Sequence, residues 1–428
     1  MLMNLERNCK ELMVKGEGDC GSRTSIPSNM FMSIFMKMKK VQKFLNTDVL
    51  FDVLTRIPVK ALLGLKCISR EWHCIISSRS FIRAQLENNE LVLTGFILQE
   101  KFMWCKDDIK TVSYIPVGTT TTIGDAKMQH QRVFHFLPED VVVLASCKGL
   151  VCCRSCFPSE EPTIYVCNPS NKQWIKLDWN GCEKNESIAL AFDLDPSFDN
   201  FTKFKLVRVK QIVICEDEYE EIYLEFELYS SETGAWWKSN ETCQCGNNLI
   251  KNKGIYIGGV LHWLTDGDQV LTFDVAKELS WLISVPVPAF EFETIPEACI
   301  GESEEKLHYV LISDVGLHVW YLDDYYESKW TLKNYKSLEE IEGKYPNFFF
   351  NLKNRVLERV DVELSPWMNP LSFKDGILLM KVCADLFLYD IENNKIAQTC
   401  TLQDLNSKSM SCPTVLPHSL SLVPLTHA

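Results

Sequence analysis

The chain has 428 residues, of which 46% are hydrophobic and 24% are charged. This is the composition of an ordinary globular protein, and the length suits one small and one large domain with a substantial buried core. The formal net charge of −13 excludes sequence-independent binding to nucleic acid, because such binding depends on clustered lysine and arginine.

The first 43 residues have no pattern of a folded element. Charged residues run through "MLMNLERNCKELMVKGEGDC" and exclude the uninterrupted apolar core of a signal peptide. The later stretch "MFMSIFMKMKK" is apolar for about eight residues, whereas a membrane span needs roughly 20. We therefore expect residues 1–43 to be a disordered leader. We also expect no membrane partner, and a protein that works in the cytoplasm, the nucleus or both.

Eighteen cysteines raise the question of disulfides or a metal site. Most are predicted to be free thiols that act as small hydrophobic side chains in a reducing compartment; examples within apolar runs are Cys67, Cys215, Cys299 and Cys383. In "CCRSC", Cys153 and Cys156 have the spacing of two zinc ligands, but a structural site needs a second pair. The nearest candidate, "CQC" at 243–245, has the wrong spacing, so we expect no metal site and no cofactor.

The stretch "LNTDVLFDVLTRIPVKALLGLKCISREW", residues 45–72, carries more apolar side chains than one helix face can hold. Asn46 or Thr47 can cap a first helix, and Pro58 ends it because the residue before a proline is pushed out of the α region. The stripe of that helix at i, i+3, i+4 and i+7 consists of Leu50, Val53, Leu54 and Ile57. Val49 and Phe51 widen the apolar arc beyond what a small core requires, so a second face should meet another surface.

Apolar periodicity continues through three more short helical stretches, the last of which is "RSFIRAQLE". Their apolar positions are Leu62, Leu63, Leu65, Cys67, Ile68, Trp72, Ile75, Ile76, Phe81, Ile82 and Leu86. Domains of about this size are marginal without a metal, disulfides or a partner. The region is therefore predicted to be a docking module.

This run resembles an F-box. The plant consensus begins Leu-Pro, passes through Pro-Val-Lys-x-Leu-Leu and reaches Cys-Val-x-Lys-x-Trp. The corresponding residues here are Leu45-Asn46, then Pro58-Val59-Lys60-Ala61-Leu62-Leu63, then Cys67-Ile68-Ser69-Arg70-Glu71-Trp72. The resemblance implies that residues 44–90 form an F-box module gripped by a Skp-type adaptor, which links the protein to a cullin and a RING subunit.

The same resemblance implies which residues touch the adaptor. The adaptor-binding residues carried over from the family pattern are Leu45, Asn46, Leu50, Leu54, Pro58, Leu62, Leu63 and Trp72. Some of them would also serve the module's own core. Asn46 departs from the pattern, which has proline there. Asparagine caps a helix well, but the apolar ring is lost, and we expect this to reduce the affinity for the adaptor.

From Leu91 onward, short apolar runs alternate with turn residues, which indicates an all-β body. One hairpin phrase recurs: a strand, a polar turn and a bulky residue near the start of the next strand, as in "YVCNPSNKQWIKL". The bulky residues of its five copies are Trp174, Trp237, Trp281, Trp330 and Ile396. A second phrase, a strand with a small turn, precedes several copies and occurs as "ASCKGLVCC", "GIYIGGVLHWL" and "FKDGILLMK".

A repeat unit that contains both phrases has at least four strands in about 50 residues. This is the size of a kelch-type propeller blade. The predicted fold class is mainly β with a small N-terminal α module: a short helical F-box followed by a β-propeller of about six blades over residues 91–425. Seven blades or a two-sheet sandwich are the alternatives. Ring closure needs strands from both ends of the domain, so the tail "PTVLPHSLSLVPL" is predicted to pair beside the first strands after residue 91.

This body is similar to the F-box-associated domain of plant F-box proteins. The matching phrases, in order, are "SCKGLVCC", "NPSNKQW", "AFDLDPSFDNFTKFKLVRV", "YSSETGAWW", "GGVLHWL", "FDV" and "LSFKDGILLMK". The resemblance implies that the domain captures the protein to be ubiquitinated, whose identity varies from member to member.

No catalytic constellation emerges from the sequence. His262 in "LHW" is expected to be structural, and acidic pairs such as Asp323–Asp324 are expected to be solvated turns. The acidic stretch 216–221, between two strand-like runs, could receive a basic target segment. We predict a non-catalytic substrate receptor of an SCF-type ubiquitin ligase. The alternatives are a propeller enzyme and an F-box scaffold that delivers no target for degradation.

Overall fold

The computed structural model describes most of the chain from residue 47 onward. The described ranges are 47–67, 70–88, 91–100, 108–109, 111–117, 133–178, 186–192, 202–216, 219–249, 253–358, 366–405 and 413–425. The predicted disordered leader, residues 1–43, lies outside them, as do Leu45 and Asn46. The chain divides into two compact units: one holds the N-terminal helices together with Leu420–Val423, and the other holds the strands.

The helical unit contains four short helices. They are α1 (Thr47–Thr55), α2 (Val59–Lys66), α3 (Arg70–Ser77) and α4 (Arg79–Asn88). The prediction that the first helix ends before Pro58 is confirmed, and Pro58 then precedes α2, whose first residue is Val59. Ser78 starts α4, because its Oγ accepts a hydrogen bond from the backbone N–H of Phe81 at 3.3 Å.

The core of the helical unit includes a segment from the far end of the sequence. Leu54, Leu62, Ile76 and Phe81 are completely buried, and Leu422 packs in the same cluster. The sequence predicted the tail as a strand only, so the contribution of Leu420–Val423 to the helical core was missed. An apolar side chain supplied from the C-terminal tail therefore helps to cover a module that is too small to be self-sufficient.

The second unit contains strands β1–β23, arranged as antiparallel meanders. In chain order the first eighteen are β1 (Gly95–Gln99), β2 (Val112–Pro116), β3 (Val141–Cys147), β4 (Leu150–Ser155), β5 (Thr163–Asn168), β6 (Gln173–Asp178), β7 (Ser187–Phe192), β8 (Phe204–Glu216), β9 (Tyr219–Ser230), β10 (Ala235–Gln244), β11 (Ile255–Ile257), β12 (Val260–Leu264), β13 (Gln269–Asp274), β14 (Leu279–Ser284), β15 (Glu297–Ser303), β16 (Lys306–Ile312), β17 (Gly316–Asp324) and β18 (Lys329–Ser337). They are followed by β19 (Met368–Lys374), β20 (Ile377–Val382), β21 (Asp385–Asp390), β22 (Lys395–Thr401) and β23 (Thr414–His418). Two helices, α5 (Leu338–Lys344) and α6 (Leu352–Leu357), lie between β18 and β19 and were not predicted.

The strands form six blades. Blades 1 to 5 are β3–β6, β7–β10, β11–β14, β15–β18 and β19–β22, and blade 6 has the order β23-β1-β2 among the described residues. The inner strands β23, β3, β7, β11, β15 and β19 each lie beside the next, and β19 returns to β23. This closed ring confirms a six-bladed propeller rather than a sandwich. Blades 4 and 5 also share one sheet, because β15 and β19 pair in parallel through Gly301 and Glu302.

The ring is closed by the C-terminal strand. β23 pairs antiparallel with β1 over its whole length, from Thr414 opposite Gln99 to His418 opposite Gly95. The predicted pairing of the tail with the first strands after residue 91 is therefore confirmed. Gln99 extends the closure into blade 1, since its side-chain amide donates to the Val141 carbonyl at 2.9 Å and accepts from the Val143 N–H at 2.8 Å.

Two kinds of tight turn occur at one end of the propeller, which we call the turn end. Between the first and second strands, both central residues have positive φ, as in a type I′ turn; the pairs are Lys148–Gly149, Gly258–Gly259, Glu304–Glu305 and Asp375–Gly376. The three copies of the small-turn phrase are thus confirmed as hairpins. The fourth, Glu304–Glu305, was missed because no glycine marks it.

The turns between the third and fourth strands are held by short polar side chains. Side-chain oxygens at the end of the third strand accept backbone N–H bonds of the turn; they belong to Asn168, Ser230, Asp274, Asp324 and Asp390. The repeated bulky residues stand near the start of each fourth strand, as predicted. Two of them bond to neighbouring blades: the indole N–H of Trp237 donates to Glu278 at 2.9 Å, and that of Trp330 donates to the Ser284 carbonyl at 2.8 Å.

The opposite end of the propeller, which we call the connection end, has longer segments. It holds the links between second and third strands and the links from one blade to the next. Examples are 285–296, which contains a 3-10 turn at Ala289–Glu291, and 338–358, which contains α5 and α6. Leu338, Ile341 and Leu352 of the latter segment pack into the core of blades 4 and 5.

The closing strand should be a determinant of stability. Replacing buried Leu416 with alanine should lower the free energy of unfolding by about 3 kcal/mol, because it leaves a cavity in the blade that closes the ring. The matched change Leu279→Ala, at a position that is 52% exposed, should cost no more than about 0.5 kcal/mol. Urea unfolding monitored by tryptophan fluorescence measures both. Equal effects of the two changes would contradict the assigned role of β23.

The Glu304–Glu305 turn should improve when glycine is introduced. Glu305 has a φ of 57°, and glycine at this position removes about 1–2 kcal/mol of left-handed strain, against an entropic cost of at most about 1 kcal/mol. We therefore expect Glu305→Gly to raise the free energy of unfolding by about 0.5 kcal/mol in urea melts. Gly259→Ala, at the corresponding turn position with open space around it, should act in the opposite direction. The expectation fails if both variants shift stability with the same sign.

Buried histidines should make the propeller sensitive to acid. Burial lowers the pKa of both His262 and His418 to about 4, whereas the unfolded value is about 6.5. Because the unfolded chain takes up these protons first, their contribution is complete above about pH 6.5 and declines as pH falls toward about 4. Each histidine should therefore cost about 2 kcal/mol of stability between pH 7 and pH 5.

The variant His418→Phe tests this dependence. Both ring nitrogens of His418 are buried without a hydrogen-bond partner, and the ring meets Tyr114 edge-on at 5.9 Å, so phenylalanine keeps the aromatic contact and removes the titration. Urea midpoints of the variant should fall less between pH 7 and pH 5 than those of the parent chain. An unchanged pH slope would refute the contribution of His418.

Candidate functional site

The structure separates the predicted adaptor-binding residues into two groups. Leu50, Leu54, Leu62 and Trp72 are buried in the core of the helical unit. Pro58 is exposed and Leu63 is partly buried, while Leu45 and Asn46 lie outside the described residues. The described members therefore differ in role: four build the module, and two reach its surface.

Helix geometry explains this division. In α2 the buried residues are Val59, Leu62 and Leu65, which recur every three residues and form one face. Leu63 follows Leu62 by about 100° of rotation and so lies at the margin of that face. Adjacent leucines that look equivalent in the sequence therefore have different environments.

Several apolar side chains of α1, α2 and the turn between them are only partly covered. We call the set Phe51, Ile57, Pro58 and Leu63 the α1–α2 apolar set. Phe51, Ile57 and Leu63 pack on the rim of the helical core, and the ring of Phe51 meets Phe81 edge-on at 5.4 Å. Side chains of this kind can supply apolar contact area to an interface, but they carry no reactive group.

Charged groups near the set are few, and most of them are exposed. Arg56 and Asp52 form an i, i+4 ion pair at 3.2 Å, with more than half of each side chain exposed, so this pair contributes little to stability. Lys60 is exposed. Lys66 is partly buried, and desolvation lowers its pKa.

His262 of the propeller has a structural role, as predicted from the sequence. His262 is completely buried. One ring nitrogen lies 3.2 Å from the Ile255 carbonyl and the other 3.1 Å from the Tyr325 hydroxyl. Burial lowers its pKa to about 4, so the ring is neutral near pH 7 and unsuited to general acid catalysis there.

The cysteines of blade 1 are buried thiols. Cys152, Cys153 and Cys167 are completely buried, and Cys156 almost so. Burial, followed by a hydrogen bond to Cys167, raises the pKa of Cys153 well above its usual range, which opposes the deprotonation that zinc binding requires. Across the described ranges, no group of three or more potential ligands could hold a metal ion.

Outside blade 1, the structure confirms some of the cysteine predictions and contradicts others. Cys299 is buried as expected, but Cys67 and Cys383 are exposed, because they sit at the end of a helix and in a tight turn rather than inside an element. The side chain of Cys215 lies outside the described residues. The cysteines whose side chains are described are free thiols.

Buried and partly buried charges of the propeller serve as structural links. Arg154 and Asp108 form a buried bidentate pair, with distances of 2.6 and 3.2 Å, and Asp108 also accepts the Phe157 N–H at 2.8 Å. Between blades 4 and 5, Lys374 contacts Glu302, and its Nζ lies 3.7 Å from Asp375. Burial alone would lower the pKa of Lys374, but these carboxylates raise it.

The acidic pair in blade 4 also has a structural role. Asp324 accepts the N–H groups of Tyr326 and Glu327 in the turn, at 2.8 and 3.0 Å. Asp323 lies 3.5 Å from Lys306 and accepts a hydrogen bond from Thr331. These contacts agree with the prediction of an acidic turn rather than a catalytic pair.

The sequence did not predict exposed apolar residues at the connection end of the propeller. The most exposed are Ile212, Val213, Ile214, Phe290, Val315 and Phe350. A signal for the first three was present, because the apolar run "KLVRVKQIVICE" is too long for a blade strand of about six residues. Phe290 lies in a proline-containing connection without periodicity, so its exposure needed the three-dimensional structure.

Among the described helices, none combines the length and the apolar character that crossing a membrane requires.

Comparison with known proteins places this architecture in a family. The family model described as F-box protein At3g26010-like, beta-propeller, matches residues 127–352, slightly more than half of the chain. F-box protein At5g49610 of Arabidopsis thaliana is 25% identical over 327 residues, which cover 71% of this chain and 81% of that protein. F-box protein At5g07610 of the same plant is 25% identical over 319 residues, covering 70% and 72%.

A further relative extends over most of both sequences. Putative F-box protein At3g52320 of Arabidopsis thaliana is 25% identical over 378 residues, which cover 85% of this chain and 89% of the relative. The matched family model spans blades 1 to 4, whose closed ring was described above. This chain belongs to the plant F-box proteins that carry an At3g26010-like β-propeller.

Proposed function

We propose that the protein is the substrate-recognition subunit of an SCF-type cullin-RING ubiquitin ligase. In this proposal residues 44–90 are an F-box module that binds a Skp-type adaptor, and through it a cullin and a RING subunit. Residues 91–425 bind the protein to be ubiquitinated. The observation that carries the proposal is the four-helix unit with its partly uncovered α1–α2 apolar set, in a chain of an F-box family.

The proposal assigns different tasks to the adaptor-binding residues. Pro58 and Leu63 would contact the adaptor directly, because they reach the surface. Leu50, Leu54, Leu62 and Trp72 would act through the fold, since they are buried inside the module. Leu45 and Asn46 would extend the contact at the start of α1, where asparagine in place of the family's proline weakens it.

The protein itself would be non-catalytic. Ubiquitin transfer would be performed by the other subunits, and the propeller would hold the target close to them, which raises the effective concentration of the reacting groups. Support comes from the structural role of His262 and of the buried charges Arg154, Asp108 and Lys374. Such a subunit would work in the cytoplasm, the nucleus or both, as the sequence led us to expect.

A pair of leucine variants tests the adaptor site. Leu63→Asp should weaken adaptor binding about 30-fold in the full-length chain, because it replaces about 2 kcal/mol of apolar contact with a charge. Leu62→Asp should instead unfold the helical unit, because it places a charge in a fully buried site. Isothermal titration with a purified Skp-type adaptor measures the first effect, and circular dichroism measures the second.

His73→Asp is the matched control, since His73 is an exposed residue of α3, and it should bind the adaptor as the parent chain does. If Leu63→Asp keeps full affinity while its helices stay folded, the proposed adaptor surface is wrong. A loss of affinity in His73→Asp equal to that in Leu63→Asp would also contradict it.

A further inference from the structure

The β8–β9 hairpin of blade 2, which we call the ribbon, extends beyond the inner strand β7. β7 pairs with β8 only as far as Val209, whereas β8 and β9 stay paired to the end of β8. On this ribbon Ile212, Val213 and Ile214 are 37%, 47% and 41% exposed. Successive residues of a strand point to opposite faces, so the ribbon has uncovered apolar side chains on both faces.

A second exposed apolar side chain lies in the connection between blades 3 and 4. Phe290 is 84% exposed, although the turn that carries it is fixed at its start. The N–H of Ala289 donates to both carboxylate oxygens of Asp268, at 3.0 and 3.1 Å. A large apolar side chain on an ordered turn loses little further backbone entropy when a partner covers it.

Hydrogen bonds connect the ribbon to this turn. Gln211, next to Ile212, donates to the Asn248 side chain at 2.6 Å. Asn248 in turn donates to Asp266 through its backbone at 2.8 Å and its side chain at 3.0 Å, and Asp266 lies two residues before Asp268. The connected residues belong to the connection end of blades 2 and 3. We call Ile212, Val213, Ile214, Asp266, Asp268 and Phe290 the blade 2–3 surface.

This surface combines apolar side chains with negative charge. The acidic side chains on it and beside it are Glu221, Asp266, Asp268, Glu291 and Glu293. The basic residues that precede the ribbon on β8 are already paired: Arg208 contacts Glu227, and Lys210 lies 3.0 Å from the same carboxylate. Charge complementarity therefore favours a positively charged partner.

We propose that the blade 2–3 surface docks a target segment in which lysine or arginine residues are interspersed with large apolar residues. The apolar side chains of the segment would cover Phe290 and the ribbon, and its basic side chains would face the carboxylates of Asp266 and Glu291. This inference rests on the proposed function, and it specifies the chemistry and the location of target capture.

Three synthetic peptides of equal length test the proposal by fluorescence anisotropy with the full-length chain. One contains leucine and lysine, one leucine and glutamate, and one serine and lysine. We expect the leucine–lysine peptide to bind at least tenfold more tightly than the other two, because only this peptide matches both features of the surface. Equal binding of all three, or a preference for either of the others, would overturn the proposal.

Substitutions locate the binding. Phe290→Ser and Val213→Ser should each weaken the leucine–lysine peptide about tenfold, as expected for exposed apolar anchors. Tyr326→Ser is the matched control, because Tyr326 is 96% exposed but lies in a turn at the turn end of blade 4. Hydrogen exchange should show peptide-dependent protection at 210–214 and 289–291. Unchanged binding by both surface variants, or an equal loss in Tyr326→Ser, would overturn the assignment.

Adaptor titrations of the same variants keep this proposal distinct from the proposed function. Phe290→Ser and Val213→Ser should bind the Skp-type adaptor normally. If they do so and also bind the peptide normally, the docking surface is wrong and the adaptor assignment stands. If Leu63→Asp binds the adaptor at full affinity, the adaptor assignment fails whatever the peptides show.

Discussion

Pairing of β23 with β1 is the interaction on which the rest of the structure depends. A ring of blades is held closed when one blade combines strands from both ends of the domain, and the two paired strands lie more than 300 residues apart in the sequence. The same tail then continues through Ser419 into Leu420–Val423, which belong to the helical unit. Ten consecutive residues, 414–423, thus contribute to two different cores. A change in this short segment therefore affects both, which an independent linker would not do.

The sequence predicted the repeated hairpins well, because local side-chain hydrogen bonds determine their turns. Short polar side chains at 168, 274, 324 and 390 accept the turn N–H groups, and a bulky residue follows in each case, so the hairpins could be recognised one by one. The blade number followed from a repeat of about 50 residues over 91–425, and ring closure followed from the need for strands from both ends of the domain. Glu304–Glu305 was missed because a type I′ turn without glycine has no local signature, although neighbouring strands impose the same backbone on it. The helices α5 and α6 were missed for a related reason, since short helices in a connection are set by packing against the blades.

The sequence indicated which residues form the candidate site, but not which of their side chains are buried and which reach the surface. Resemblance to the F-box pattern pointed to residues 45–72 as a candidate binding region, yet it could not distinguish Leu62 from Leu63, because both match the pattern. Only the packing of α2 against the other helices determines which leucine is buried. The distinction has large energetic consequences: a buried leucine contributes to every state of the folded module, whereas a marginal one contributes mainly when a partner covers it. The missed contribution of Leu422 had the same origin, a contact between residues remote in sequence.

The two ends of the propeller are under different backbone constraints, so they tolerate sequence change to different degrees. At the turn end, the two-residue turns of blades 1, 3, 4 and 5 and the capped hairpins fix the local backbone conformation, so positions that need a positive φ tolerate few substitutions. At the connection end, segments such as 285–296 and 338–358 are long and irregular, and lengthening a loop costs little because closure entropy grows only slowly with length. The buried pair Arg154 with Asp108 and the partly buried pair Lys374 with Glu302 hold neighbouring blades together. Exposed side chains of the connection end can therefore vary while the ring beneath them stays unchanged.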